Sequence, residues 1–162
     1  MQSQSPECRW LAVGDIHGCL AQLAELMERV KPTAADRVVF LGDYVDRGPA
    51  SAGVIDYLIE FATAFPETVF LRGNHEQMFL DYLDRQDPAV FLINGGRQTL
   101  DSYRDRGMWP VPSTHRRFLD SLGYYFESEH HIFVHAGLRP GIPLAEQTDF
   151  DMLWIRHEFL ES

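Results

Sequence analysis

The stretch "RVVFLGDYVDRG", residues 37–48, decides the fold. Its first five residues are a short apolar run of the kind a buried strand needs. The next seven place Asp43, Asp46 and Arg47 between Gly42 and Gly48. Charges at the end of a core strand need partners, because desolvating them alone is costly. The same design occurs on both sides. Upstream, "CRWLAVG" (8–14) is an apolar run followed by Asp15 and His17 in "GDIHGC". Downstream, "TVFLRG" (68–73) is followed by Asn74, His75 and Glu76.

Between these runs lie helical patterns. "CLAQLAELMERV" (19–30) has leucines at 20, 23 and 26 and methionine at 27, and Pro32 stops it. "ASAGVIDYLIEFATAF" (50–65) is stopped by Pro66, and "NHEQMFLDYLDRQ" (74–86) follows the third run. The order is β-α-β-α-β with compact connections, which predicts parallel strands and right-handed crossovers. Residues 87–123 read as short helices and turns. "YYFESE" (124–129) and "HIFVHAG" (131–137) read as antiparallel strands, and "DMLWIRHEFLES" as the start of a strand or helix.

The chain of 162 residues is long enough for one domain with a sizeable core, expected to span 1–162 with a flexible stretch at 1–8. Its formal net charge is −10, which disfavours nucleic acid and anionic membranes as partners. No stretch reaches the roughly 20 apolar residues of a membrane span. Two cysteines, Cys8 and Cys19, suggest no disulfide framework. With no signal-peptide pattern at the start, a cytoplasmic location is expected.

Asp15, Asp43 and Asn74 are 28 and 31 positions apart, about one β-α-β unit each. In a parallel sheet such positions line up beyond the carboxyl ends of the strands, where open α/β sheets bind ligands. His135, after a later strand, joins them. Carboxylate, amide and imidazole donors without thiolate suit Mn²⁺, Fe or Zn²⁺, and there is too much imidazole for Ca²⁺. Five candidate ligands (Asp15, His17, Asp43, Asn74, His135) exceed what one ion in an open site takes. Two divalent ions sharing a carboxylate use them economically. Asp43, on the middle strand, is the natural bridge.

The bands "GDIHG", "GDYVDRG", "RGNHE" and "VHAG" resemble those of the calcineurin-like metallophosphoesterases. More closely, they resemble the bacterial branch of the phosphoprotein phosphatase group. The resemblance runs from about residue 10 to 160 and includes "NGGRQTLDSY", "FVHAGLRP" and "LWIRHEF". It implies an α/β fold, a sandwich of two mixed β-sheets flanked by helices. It implies a two-metal site in which Asp15 and His17 ligate the first ion, Asp43 bridges, and Asn74 and His135 ligate the second. His75 is then the general acid, with Asp46 hydrogen-bonded to it. Arg47 and Arg156 clamp the phosphoryl oxygens, with Asn74 beside them.

The chemistry follows from these parts. Two cations, manganese first among them, acidify water to a hydroxide that attacks phosphorus in line. Guanidinium forks stabilise the equatorial oxygens. A proton donor to the leaving oxygen is worth about 10²–10⁴-fold. The implied activity is a serine/threonine protein phosphatase, with a phosphoprotein or a small phosphorylated molecule as substrate. One rival is a bis(5′-nucleosyl)-tetraphosphate hydrolase, from a sister group with similar bands. Another is a phosphate-binding module of little or no activity. The pattern has a further "GH" histidine after the "LWIR" band, and the sequence reaches Ser162 without it. His157 is not expected to replace it. The domain is therefore expected to be incomplete at its C-terminal side, with an unpaired sheet edge.

The remaining candidates take structural readings. His115, His130 and His131 are expected on the surface or in loops. Trp10, Trp109 and Trp154 are expected to pack. Glu76 is expected to serve its helix start, where negative charge suits the dipole. Cys19 is expected to pack in a first helical turn.

Overall fold

The computed structural model describes residues 9–161. Three strands, β1 (Trp10–Val13), β2 (Arg37–Phe40) and β3 (Val69–Phe70), form a parallel sheet in that order. Trp10 pairs with Arg37 and Val39 with Val69 in the register. Helix α1 (Leu20–Val30) joins β1 to β2, and α2 (Ser51–Ala64) joins β2 to β3. The middle strand is sealed, with Val39 and Phe40 wholly buried. This is what a run without polar alternation requires.

Side chains alternate across the sheet. Leu11, Val13, Val38, Phe40 and Phe70 join the core formed with the helices. Phe40 stacks on Phe70 and meets Phe61 of α2 edge-on. On the opposite side, Trp10 packs against Phe126 and Phe133. Those two rings belong to a hairpin, β4 (Tyr125–Glu127) and β5 (Ile132–Val134), paired antiparallel. The outer edge of β1 is unpaired among the described residues.

After β3 come α3 (Asn74–Leu83), α4 (Pro88–Phe91), a kinked turn at Leu92–Gly96, α5 (Arg97–Asp105) and α6 (Ser113–Asp120). Two short helices, α7 (Asp149–Trp154) and α8 (His157–Leu160), follow the hairpin. The segment read as a strand or helix start is thus helical, broken at Ile155–Arg156.

The α/β fold of sheets flanked by helices is as expected, and two details differ from the reading of the sequence. Among the described residues each sheet is of one sense. Helical crossovers make the first parallel, and a tight Ser128–His131 turn makes the second antiparallel. Helix α3 stops at Leu83, two residues before Arg85 takes a φ of 62°. His115 is not a surface residue. It is buried on α6, where Nδ1 meets Tyr103 Oη at 2.9 Å and Nε2 meets Asp56 at 2.8 Å, so it ties α5, α6 and α2 together. Cys8 lies outside the described residues, and with it any test of the cysteine reading.

Candidate active site

The loops leaving β1 and β2 are bonded to each other. Ile16 and His17 both donate their backbone N–H to Asp43 O, at 2.9 and 2.8 Å, and Gly18 donates to Tyr44 O. Four non-glycine residues there have left-handed backbones: His17 (φ 44°), Asp43 (55°), Asp46 (70°) and Arg47 (63°). Each such residue costs on the order of 1 kcal/mol and persists only where its surroundings over-determine it.

Glu76 is much of that surrounding. Its carboxylate, fully buried, accepts four backbone N–H groups: Asp43 (2.7 Å), Tyr44 (2.7 Å), Val45 (3.2 Å) and Gly73 (2.9 Å). The Gly73 bond serves the start of α3, as the sequence suggests. The other three lock the β2 loop onto it. Burial, with Asp43 nearby, pushes the Glu76 carboxyl up to about 7, against the pull of those N–H donors. Backbones approach closely here. A Cβ on Gly73 would lie 2.1 Å from Asp43 Oδ1, and one on Gly42 (φ 103°) would lie 2.4 Å from Gly73 N. Only glycine fits at either position.

These constraints bring the predicted donors together. His17 gives its Nδ1–H to Val45 O at 2.8 Å, and His135 gives its Nδ1–H to Leu41 O at 2.9 Å. Carbonyls only accept, so in the neutral ring both Nε2 atoms keep a lone pair. Asp43 lies between them, with Oδ2 3.6 Å from His17 Nε2 and Oδ1 3.5 Å from His135 Nε2. Asn74 Oδ1 is 3.1 Å from His135 Nε2, and Asp15 Oδ2 is 3.9 Å from His17 Nε2. Two groups of three have ligand atoms all within 4.8 Å of one another: His17, Asp43 and His75, and Asp15, Asp43 and His135. Asp43 belongs to both.

The donor set fits divalent cations. Lone pairs of imidazole, carboxylate and amide face one another with too few protons between them. Arg47 Nη1, a cationic group, stands 2.7 Å from His17 Nε2. The grouping differs in two respects from what the resemblance implies: Asp15 is grouped with Asp43 and His135, and His75, expected to be the proton donor, stands in the group of His17 and Asp43.

Beside these donors, His75 Nδ1 meets Asp46 Oδ2 at 2.7 Å. Both side chains are buried. His75 Nε2 faces Arg47 Nη2 at 3.0 Å. The other oxygen of Asp46 accepts the hydroxyl of Thr99 at 2.7 Å. The cleft, about 260 Å³, is lined by Asp15, Asp43, Arg47, Asn74, His75, His135 and Arg156, with Trp154 and Leu160 on its apolar wall. Every residue singled out for the site therefore lies at this cleft, except His17 and Asp46, which stand immediately behind it in contact with Arg47 and His75. His157 is exposed and is not part of its lining. The sequence reading undervalued Glu76 and passed over Thr99, which lies in the quoted "NGGRQTLDSY".

The profile of the calcineurin-like phosphoesterase family matches residues 8–158. This chain is a calcineurin-like phosphoesterase. It is 41% identical over 86 residues to serine/threonine-protein phosphatase 1 of Salmonella typhimurium (strain LT2), a match covering 52% of this phosphoesterase and 37% of that protein. Among solved structures, a provisionally assigned diadenosine tetraphosphatase superposes with a TM-score of 0.70 at 26% identity, over 94% of this chain and 60% of that one. A protein serine/threonine phosphatase from Saccharomyces cerevisiae superposes with a TM-score of 0.58 at 20% identity, over 97% and 45%. The phosphoesterase thus spans less than two thirds of each of these relatives. The last likeness shows the metallophosphoesterase fold. No helix among the described residues is long and apolar enough to cross a membrane.

Proposed function

We propose that this phosphoesterase is a two-cation phosphomonoesterase acting on phosphoserine or phosphothreonine in proteins. The observation that carries the reading is the placement of Asp43. Its two carboxylate oxygens face two different imidazole lone pairs, while His75, held by Asp46, lines the same cleft.

On this reading Asp15, His17 and Asp43 would hold one divalent ion, and Asp43, Asn74 and His135 the other. When bound, such ions supply Lewis acidity that lowers the pKa of water and offsets phosphoryl charge. Mn²⁺ suits the mixed oxygen and nitrogen donors first, with Fe or Zn²⁺ next. Arg47 and Arg156 both line the cleft and would grip the equatorial oxygens of the phosphoryl group. Asn74 would add an amide contact. As an attacking oxygen bonds to phosphorus, the bond to the leaving oxygen breaks, and its electron pair stays on that oxygen. His75, protonated at Nε2, then delivers its proton there. Asp46, fixed at Nδ1, orients the ring and offsets its charge.

A phosphoprotein or a small phosphorylated molecule is the expected partner, and the cytoplasm the expected compartment. The structural likeness to a provisionally assigned diadenosine tetraphosphatase favours a second reading, cleavage of bis(5′-nucleosyl) tetraphosphates. Incubating the full-length protein with Mn²⁺ and each substrate separates the two. Phosphate release from a phosphothreonine peptide supports the first reading. Cleavage of the dinucleotide alone overturns it. Neither reaction would point to a phosphate-binding module instead.

A further inference from the structure

Thr99 lies on α5, 53 residues from Asp46, yet it touches Asp46 twice. Its hydroxyl hydrogen goes to Asp46 Oδ1 at 2.7 Å, and its oxygen accepts the Asp46 backbone N–H at 2.8 Å. The Ser51 hydroxyl is 3.0 Å from the same oxygen. Asp46, Ser51 and Thr99 have no solvent exposure at all. With one proton to give and room for two to accept, the Thr99 hydroxyl is fully used.

The same segment also holds the neighbour of Asp46. Gly95, four residues before Thr99, accepts the Arg47 N–H at 3.1 Å. Its own φ is 101°, and a Cβ there would come within 2.9 Å of Arg47 Cγ. Asp46 and Arg47 are successive residues with left-handed backbones, and each is fixed by one end of the stretch 95–99.

We infer that Thr99 is a positioning residue for the proton donor, acting through Asp46. Bonded at Oδ1 by Thr99, the Asp46 carboxylate presents Oδ2 to His75 Nδ1–H, and the imidazole is left with Nε2 toward the leaving oxygen. Loss of the hydroxyl strips Oδ1 of its donor and leaves the Asp46 N–H only the 3.2 Å contact to Ser51. A buried carboxylate relieved of one bond reorients, and that loosens its hold on His75. The catalytic consequence rests on the phosphomonoesterase reading. The hydrogen-bond geometry does not.

The test uses the full-length protein with Mn²⁺, comparing wild type, Thr99→Val and Thr99→Ser. Valine keeps the shape and removes the hydroxyl, and serine keeps the hydroxyl. Two aryl esters serve as probes. The leaving group of p-nitrophenyl phosphate needs little protonation, and that of phenyl phosphate needs it fully. The expected result is that Thr99→Val lowers kcat on phenyl phosphate by about 10–100-fold, a part of the general-acid effect. The loss on p-nitrophenyl phosphate should be several-fold smaller, and Thr99→Ser should regain most of the difference. In parallel, with diamagnetic Zn²⁺ replacing Mn²⁺, the downfield proton NMR signal of His75 Nδ1–H, assigned by its absence from His75→Asn, should persist in Thr99→Ser and shift or vanish in Thr99→Val. Equal losses on the two esters, with the imidazole signal unmoved, would overturn the inference. If wild type cleaves neither ester, the phosphomonoesterase reading fails. The imidazole signal then decides the positioning role alone. Should Thr99→Val not fold, Thr99→Ala is read in the same way.

Discussion

His75 Nδ1, in the first turn of α3, and Asp46 Oδ2, in the loop after β2, are 2.7 Å apart, and both side chains are buried. A buried pair of this kind fixes both the position and the tautomer of the imidazole. His75→Asn should therefore keep the metal content of wild type while turnover of a poor-leaving-group ester falls by about 10²–10⁴-fold. Metal analysis alongside steady-state kinetics checks this. Loss of metal together with turnover would make His75 a ligand instead, as its proximity to His17 and Asp43 would permit.

Asp43 is shared by both groups of potential ligands. Asp43→Asn removes the charge and halves the strong donor oxygens while keeping the shape. Elemental analysis should show both ions lost, with activity near background. Full occupancy in the variant would contradict the bridging assignment.

The parts of the site carried by residue type were legible in the sequence. Asp15, His17, Asp43, Asn74, His75 and His135 follow apolar runs, and parallel crossovers bring the ends of such runs to one edge. What was not legible depends on long-range hydrogen bonds, which leave no periodicity. Glu76 occupies a position where a helix start explains it locally, yet three of its four bonds reach residues 31–33 positions away. Thr99 sits in a helix that could equally have buried it for packing. His115 carried no local pattern, and its partners lie on two other helices. The left-handed backbones of Asp43, Asp46 and Arg47 were likewise silent, because none of these residues is glycine.

Glu76→Gln tests the role of the carboxylate as the anchor of the β2 loop. Each Glu76 oxygen accepts two backbone N–H groups, so the amide nitrogen that replaces one of them leaves two facing a donor. The expected cost is about 3 kcal/mol, since buried donors left unpaired cost on the order of 1–3 kcal/mol each. Chemical denaturation of the metal-free proteins measures it. A variant within about 0.5 kcal/mol of wild type would show that the loop holds its shape without Glu76.

Far from the cleft, the Arg9 guanidinium bonds Asp36 at 2.7 and 2.8 Å, and Thr33 adds two more donors. Together they hold the Asp36 carboxyl well below the usual carboxylate value. The folded-state pKa is depressed, so the stabilisation is complete above about pH 4 and is lost as pH falls further. Wild type should melt above Asp36→Asn at pH 7, and the gap should close progressively in acid. A gap unchanged down to pH 2 would contradict this.

The central claim is tested most directly by anomalous diffraction from crystals of the full-length protein grown with Mn²⁺. The account predicts two peaks roughly 3.5–4 Å apart, on either side of the Asp43 carboxylate, one near His17 and the other near His135 and Asn74. A cleft without peaks, or metal bound away from Asp43, would contradict it.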